Sequence, residues 1–201
     1  MTSTAGPAGN HFDKYATGNP LERRMMESFL RSIDDFTTTD GSPASILEVG
    51  VGEGHILRRL MARYSSAAAV GIDLPDEQLA HLWERDDIPA EVGDVTNLRF
   101  PDRSFDLVLA IEVLEHVSEP DRALREISRV ASGTVVLSVP REPIWRIGNM
   151  LRGRYIGSLG NTPGHVNHWS AKSFTRFVGS ALEVEQVATP LPWVVVRARP
   201  R

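Results

Sequence analysis

The sequence predicts a doubly wound α/β domain: a mostly parallel seven-stranded sheet with one antiparallel strand near the C-terminus and helices on both faces. Three observations carry this. Apolar runs of strand length alternate with segments of helical periodicity. The first strand runs into glycines at alternate positions, Gly50, Gly52 and Gly54, which lets the chain turn tightly into a helix with a ligand against its backbone. The last two strands are joined only by Pro-Leu-Pro, too short for a crossover helix, so they are antiparallel.

Residues 20–36 form a helix, because Met25, Met26, Phe29, Leu30 and Ile33 recur at helical spacing and Pro20 suits a first turn. TTTDGSP, 37–43, breaks it. ASILEVG, 44–50, is a buried strand, GHILRRLMARY, 54–64, an amphipathic helix, and AAAVGID, 67–73, a second strand. PDEQLAHLWER, 75–85, opens with a proline and two acids, as a helix does. IPAEVGD, 88–94, and FDLVLAI, 105–111, are the third and fourth strands. EPDRALREISRV, 119–130, is a helix with Ala123, Leu124, Ile127 and Val130 on one face, and TVVLSVP, 134–140, is the fifth strand. SAKSFTRFVGSAL, 170–182, is a helix capped by Ser170. EVEQVAT, 183–189, and WVVVRAR, 193–199, complete the sheet. The stretch 141–169 is long for a connection and marks a candidate functional loop.

The totals exclude several classes. The chain has 201 residues, 41% hydrophobic and 24% charged, enough for one domain with a real core. It contains no cysteine, which rules out disulfides and thiolate metal sites and leaves oxygen and imidazole as metal ligands. A net charge of −4 argues against nucleic-acid binding by overall charge. No apolar run approaches the roughly 20 residues of a membrane span. The segment MTSTAGPAGNHF has neither the basic flank nor the apolar centre of a secretory leader, so the expected location is the cytoplasm.

The strand ends carry the chemistry. Strand one ends in Glu48-Val-Gly50-Val-Gly52-Glu-Gly54, which departs from the dinucleotide spacing GxGxxG and disfavours a nicotinamide cofactor. Glu48 would repel a pyrophosphate but can orient a ligand ammonium. Strand two ends at Asp73, placed to accept from ribose hydroxyls. The plainer role for Asp73 is a cap on the following helix. Asp94, after strand three, can accept from an adenine amino group or serve as a turn residue in GDVTN.

In combination these strand ends resemble the class I S-adenosylmethionine-dependent methyltransferases, through ILEVGVGEGHIL, GID, GDV and FPDRSFDLVLAIEVLEHV, over about residues 44–140. The resemblance implies S-adenosylmethionine held by Glu48, Gly50, Gly52 and Gly54, its ribose on Asp73, its adenine near Leu74, Asp94 and Val95, and Ile111 beside its methionine end. It implies one methyltransferase domain over 1–201: a tail and lid helix (1–36), a cofactor-binding core (44–140), an acceptor-site loop (141–169) and a C-terminal helix with a strand pair (170–201).

At the mouth of strand four stand Glu112, Glu115 and His116, which share a face if the chain turns helically there. Glu-x-x-Glu-His suits a hard divalent cation such as Mg. It is similar to an element of the ubiquinone-pathway catechol O-methyltransferases and of the small-RNA 3′-end 2′-O-methyltransferases, where a second histidine follows strand five. Here the sequence offers His165, giving a candidate metal set of Glu112, Glu115, His116 and His165. Two other readings stay open: His116 or His165 as a simple general base, and His165 with His168 as loop-packing residues.

The loop 141–160 carries four arginines and one glutamate among apolar residues. It reads either as a lid for an anionic or lipid-linked acceptor or as a short amphipathic helix packed on the sheet. The expected activity is methylation of a small molecule, foremost at a hydroxyl. The alternatives are metal-free C- or N-methylation and a non-catalytic S-adenosylmethionine-binding protein. RNA methylation is disfavoured by the acidic balance, and the expected state is a monomer or homodimer.

Overall fold

The computed structural model describes residues 19–38, 41–151, 153 and 156–201. The strands are β1 (Ser45–Val49), β2 (Ala68–Asp73), β3 (Ala90–Val92), β4 (Phe105–Ile111), β5 (Ala131–Pro140), β6 (Leu182–Ala188) and β7 (Trp193–Pro200). The helices are α1 (Pro20–Phe36), α2 (His55–Arg63), α3 (Glu77–Arg85), α4 (Pro120–Val130), α5 (Ile144–Leu151) and α6 (Ala171–Val178). The sheet order is β3-β2-β1-β4-β5-β7-β6, with β7 antiparallel to both its neighbours and the other pairings parallel. The reversed strand is therefore next to the edge.

Alternation along the strands builds two cores. Leu47 and Val49 of β1, Val108 and Ala110 of β4, and Leu137 of β5 face α4 and α6, where Leu124, Ile127 and Phe174 are buried. Ile46, Leu107, Leu109 and Val136 face α1 and α2, meeting Phe29, Ile33, Leu57 and Leu60. Asn19 caps α1 by accepting from the Leu21 N–H. The other end of α1 is fastened by Arg59, which donates to Asp34 Oδ1 at 2.7 Å, and by Tyr64, which donates to the Thr37 carbonyl at 2.9 Å.

Strand order reverses between β1 and β4. Their carboxyl ends open a crevice, the place where open α/β sheets bind ligands. Gly50 leaves β1 there and Glu112 leaves β4 there.

Two differences from the sequence reading have local causes. β5 begins at Ala131, directly after α4, rather than at residue 134. Ser132 and Gly133 look like a breaker but form a bulge in β5, two residues opposite the single Asp106 of β4, and a Cβ on Gly133 would lie 2.5 Å from the Asp106 carbonyl oxygen. The stretch 141–169 is partly ordered as α5. Trp145 and Asn149 point inward and hydrogen-bond Thr162 Oγ1, while Ile147 and Met150 are exposed. Ser170 does cap α6, in a reciprocal box with Ser173. Residues 1–18, the expected tail, lie outside the described residues. Among the described residues no helix is long and apolar enough to cross a membrane.

Candidate active site

The glycine loop is held from both sides. The Gly50 and Val51 N–H groups both donate to the Ile72 carbonyl, at 2.8 and 3.0 Å. Gly50 has φ +71°, and a Cβ there would lie 2.3 Å from Val113 Cγ2, so both conformation and space demand glycine. Gly52 has φ +50° and open space around its missing Cβ. Its N–H donates to Asp73 Oδ2 at 2.8 Å, and its carbonyl accepts from Trp83 Nε1 at 2.8 Å.

Asp73 is thus a hinge pin between β2 and the loop, and its Oδ1 accepts from the Leu74 N–H at 2.8 Å. It does not cap the next helix. Asp76 does, accepting from the Gln78 and Leu79 N–H groups. Burial raises the Asp73 carboxyl above the usual range against the pull of its two N–H donors. Glu48 is buried beneath the loop. Burial pushes its carboxyl well above the usual range, opposed by a bond from the Leu57 backbone. Its Oε2 has no hydrogen-bond partner among the described residues. Asp94 Oδ1 accepts from both the backbone and hydroxyl of Thr96, at 2.8 Å each, so Asp94 is a turn residue that also lines the cavity.

At the end of β4 the chain takes a left-handed residue, Glu112 (φ +60°), and then a 3₁₀ turn, Leu114–His116. The turn separates Glu112 from Glu115 and His116. Glu112 Oε2 accepts from Trp193 Nε1 at 2.8 Å. Glu115 is buried and approaches His116 and His165, and the ligand atoms of these three lie within 4.8 Å of one another. Glu112 is not in that group. His116 Nδ1 lies 3.0 Å from the Gly164 carbonyl oxygen and must donate to it, which puts the ring's lone pair on Nε2. The His116 and His165 rings meet edge to face at 4.8 Å. His168 instead bonds Asn161 Oδ1 at 2.7 Å.

These parts share one cavity of about 920 Å³. Its wall on the side of the glycine loop includes Glu48, Gly50, Gly52, Asp73, Leu74, Asp94, Val95 and Ile111. Its far wall includes Met26 and Phe29 of α1, Glu112, His116, Thr162 and Trp193. Gly54, His165 and Glu115 stand behind the wall rather than on it. Trp193, whose ring stacks on Phe29 at 4.5 Å, carried no local signal, and neither did Trp83 or Thr162. Each acquires its role from a partner far away in the chain.

Residues 47–137 match the family described as Methyltransferase domain. Over that stretch, just under half of the chain, the sequence is that of a methyltransferase domain. Among similar proteins, norajmaline N-methyltransferase of Rauvolfia serpentina is 31% identical over 118 residues, 54% of this chain and 39% of that protein. Malonyl-acyl-carrier-protein O-methyltransferase of Geobacter sulfurreducens is 33% identical over 127 residues, 59% of this chain and 44% of that protein. The chain spans at most 49% of the length of such curated relatives. The methyltransferase fold extends further than the sequence match. A SAM-dependent methyltransferase structure from Aquifex aeolicus superposes with TM-score 0.67 at 18% identity, covering 90% of this chain and 93% of that one. The matched methyltransferase domain contains the glycine loop, Asp73, Asp94 and the β4 turn, but not α1, Thr162, His165 or Trp193.

Proposed function

We propose that this protein transfers a methyl group from S-adenosylmethionine to a hydroxyl of a small-molecule acceptor. The observation that carries this reading is the continuity of the cavity, which joins Gly52, Asp73 and Asp94 to His116, Thr162 and Trp193 in one space suited to a cofactor and a small acceptor. The residues fit the cofactor. Glu48 Oε2 is a buried acceptor awaiting a donor such as an ammonium, and the open space at Gly52 lets a ligand lie on the backbone. Asp73, held in place by two N–H groups, turns its carboxylate to a ribose diol. When bound, the cofactor supplies a sulfonium methyl whose bond to sulfur breaks, leaving the electron pair on sulfur, as the acceptor oxygen bonds to carbon.

His116 lines the cavity and carries its lone pair on Nε2, so it takes the hydroxyl proton. Met26, Phe29 and Trp193 exclude water and position the acceptor. Among the described lining residues Arg122 stands against seven acids, so a neutral or cationic acceptor fits better than an anionic one.

A second reading, metal assistance, is favoured by the approach of Glu115, His116 and His165. One carboxylate and two imidazoles suit a divalent cation of the manganese or iron type at least as well as magnesium. Bonds of about 2.1 Å allow at most about 4.2 Å between two ligand atoms, so a set extending to 4.8 Å must tighten to hold an ion. Such an ion would lower the pKa of the acceptor hydroxyl.

Calorimetric titration with S-adenosylmethionine tests the first reading. Saturable binding with none for NAD is expected, and no heat in a folded protein would overturn it. Turnover on hydroxylated acceptors that survives EDTA leaves His116 as a simple base. Loss on EDTA with recovery on manganese or magnesium installs the metal.

A further inference from the structure

We propose that Asn167 is the positioning residue for His116. Its catalytic meaning rests on methyl transfer at this site, while its structural basis does not. The 3₁₀ turn that carries Glu115 and His116 is only three residues long, closed by one good bond, from the His116 N–H to the Val113 carbonyl at 2.9 Å, and one long one. The Val117 N–H reaches the Leu114 carbonyl at 3.3 Å. Such a turn leaves carbonyls that must find donors elsewhere. Asn167 supplies donors to three carbonyls of the turn and its C-cap. Its side-chain nitrogen donates to the Leu114 carbonyl at 3.0 Å and to the Val117 carbonyl at 2.6 Å, and its backbone N–H donates to the Glu115 carbonyl at 3.1 Å. Val166 adds a second backbone donor to Glu115, at 2.9 Å.

Both side-chain partners are carbonyls, so the amide nitrogen, not its oxygen, faces the turn. A primary amide is the one neutral side chain of this reach with two donors on a single atom. The consequence lies three residues upstream. With 166–167 bolted to 114–117, the Gly164 carbonyl is carried to within 3.0 Å of His116 Nδ1. That contact decides which ring nitrogen holds the proton and leaves the lone pair on Nε2 of a residue that lines the cavity. The same orientation serves whether His116 is a base or a metal ligand, because both use a lone pair on Nε2. Asn167 does not itself line the cavity, and it lies outside the matched domain.

The test is NMR of the EDTA-treated, ¹⁵N-histidine-labelled full chain. In the unmodified protein His116 is expected as the Nδ1–H tautomer. In Asn167→Ala the ring is expected to lose that preference, with S-adenosylmethionine affinity within about twofold and turnover down about ten- to a hundredfold. Asn167→Asp, which sets a carboxylate against two carbonyls, is expected to fall further than Asn167→Ala despite its matching shape. An Nε2–H tautomer in the unmodified protein overturns the role, and so does an Asn167→Ala protein that keeps both tautomer and turnover. Should Asn167→Ala not fold, the unmodified tautomer and Asn167→Ser, which retains one donor, decide in the same way. The tautomer is read without turnover, so a protein that binds no S-adenosylmethionine yet shows the shift would sink methyl transfer and leave Asn167 in place.

Discussion

The cofactor wall and the acceptor wall of this cavity are built in opposite ways. The proposed cofactor wall is local: Gly50 and Gly52 sit within one turn, and the bond from Gly52 to Asp73 spans 21 residues. The acceptor wall is assembled across the chain. His116 meets the Gly164 carbonyl over 48 residues, and Trp193 meets Glu112 over 81. The first wall tolerates no change in backbone conformation. The second depends on side chains delivered by a helix, a turn, a loop and a strand. Substitutions on the two sides should therefore fail in different currencies, affinity for the cofactor against rate or acceptor binding.

The largest expected effect is on the acceptor side. His116→Ala should lower kcat by about 10²–10⁴-fold, the usual worth of a positioned base, and leave S-adenosylmethionine affinity unchanged. A parallel loss of cofactor affinity would show that the walls are not separable. Next comes the cofactor side. Gly50→Ala forces a Cβ into Val113 at a left-handed position, so cofactor affinity should drop about a hundredfold or more, consistent with a few kcal/mol of combined strain and overpacking. Calorimetry alone decides this, without an acceptor.

Trp193→Phe sharpens the contrast at smaller scale. It keeps a ring against Phe29 but removes the donor to Glu112. The expected result is an acceptor KM raised about tenfold, the worth of one charge-assisted hydrogen bond, with cofactor affinity intact. Steady-state kinetics at saturating cofactor would read it.

The smallest effect is a pH slope. Burial raises Glu48 above its ordinary value of 4.5, so the folded protein holds this proton more tightly than the unfolded chain. The stability it contributes is full below the ordinary value and is lost as pH rises through the raised one. Glu48→Gln should flatten that loss in thermal unfolding of the ligand-free protein. In the unmodified protein, binding of an ammonium-bearing ligand should strengthen over the same rise, as the carboxylate forms. Ammonium-ligand affinity that does not change over that rise, or that Glu48→Gln leaves intact, would remove Glu48 from the ammonium subsite.

Sequence alone determined the sheet and its reversed strand, and it marked the glycine loop and Asp73 that the structure brings to the crevice. Strand burial follows from unbroken apolar runs such as FDLVLAI, and GxGxG with Asp73 reports backbone demands that any neighbours must respect. It also brought together Glu115, His116 and His165 as candidates, but it set Glu112 among them. Tertiary structure decided otherwise for that side chain: a left-handed residue and a 3₁₀ turn replaced the helical turn, and the indole of Trp193 held Glu112 away. It likewise gave the helix cap to Asp76, drew Trp193 onto Phe29 and bolted Asn167 beneath the turn. The physical reason is range. Periodicity and glycine spacing act over a few residues and are written in order along the chain. The direction of a carboxylate or an imidazole is set by whichever donor the finished fold brings within 3 Å of it.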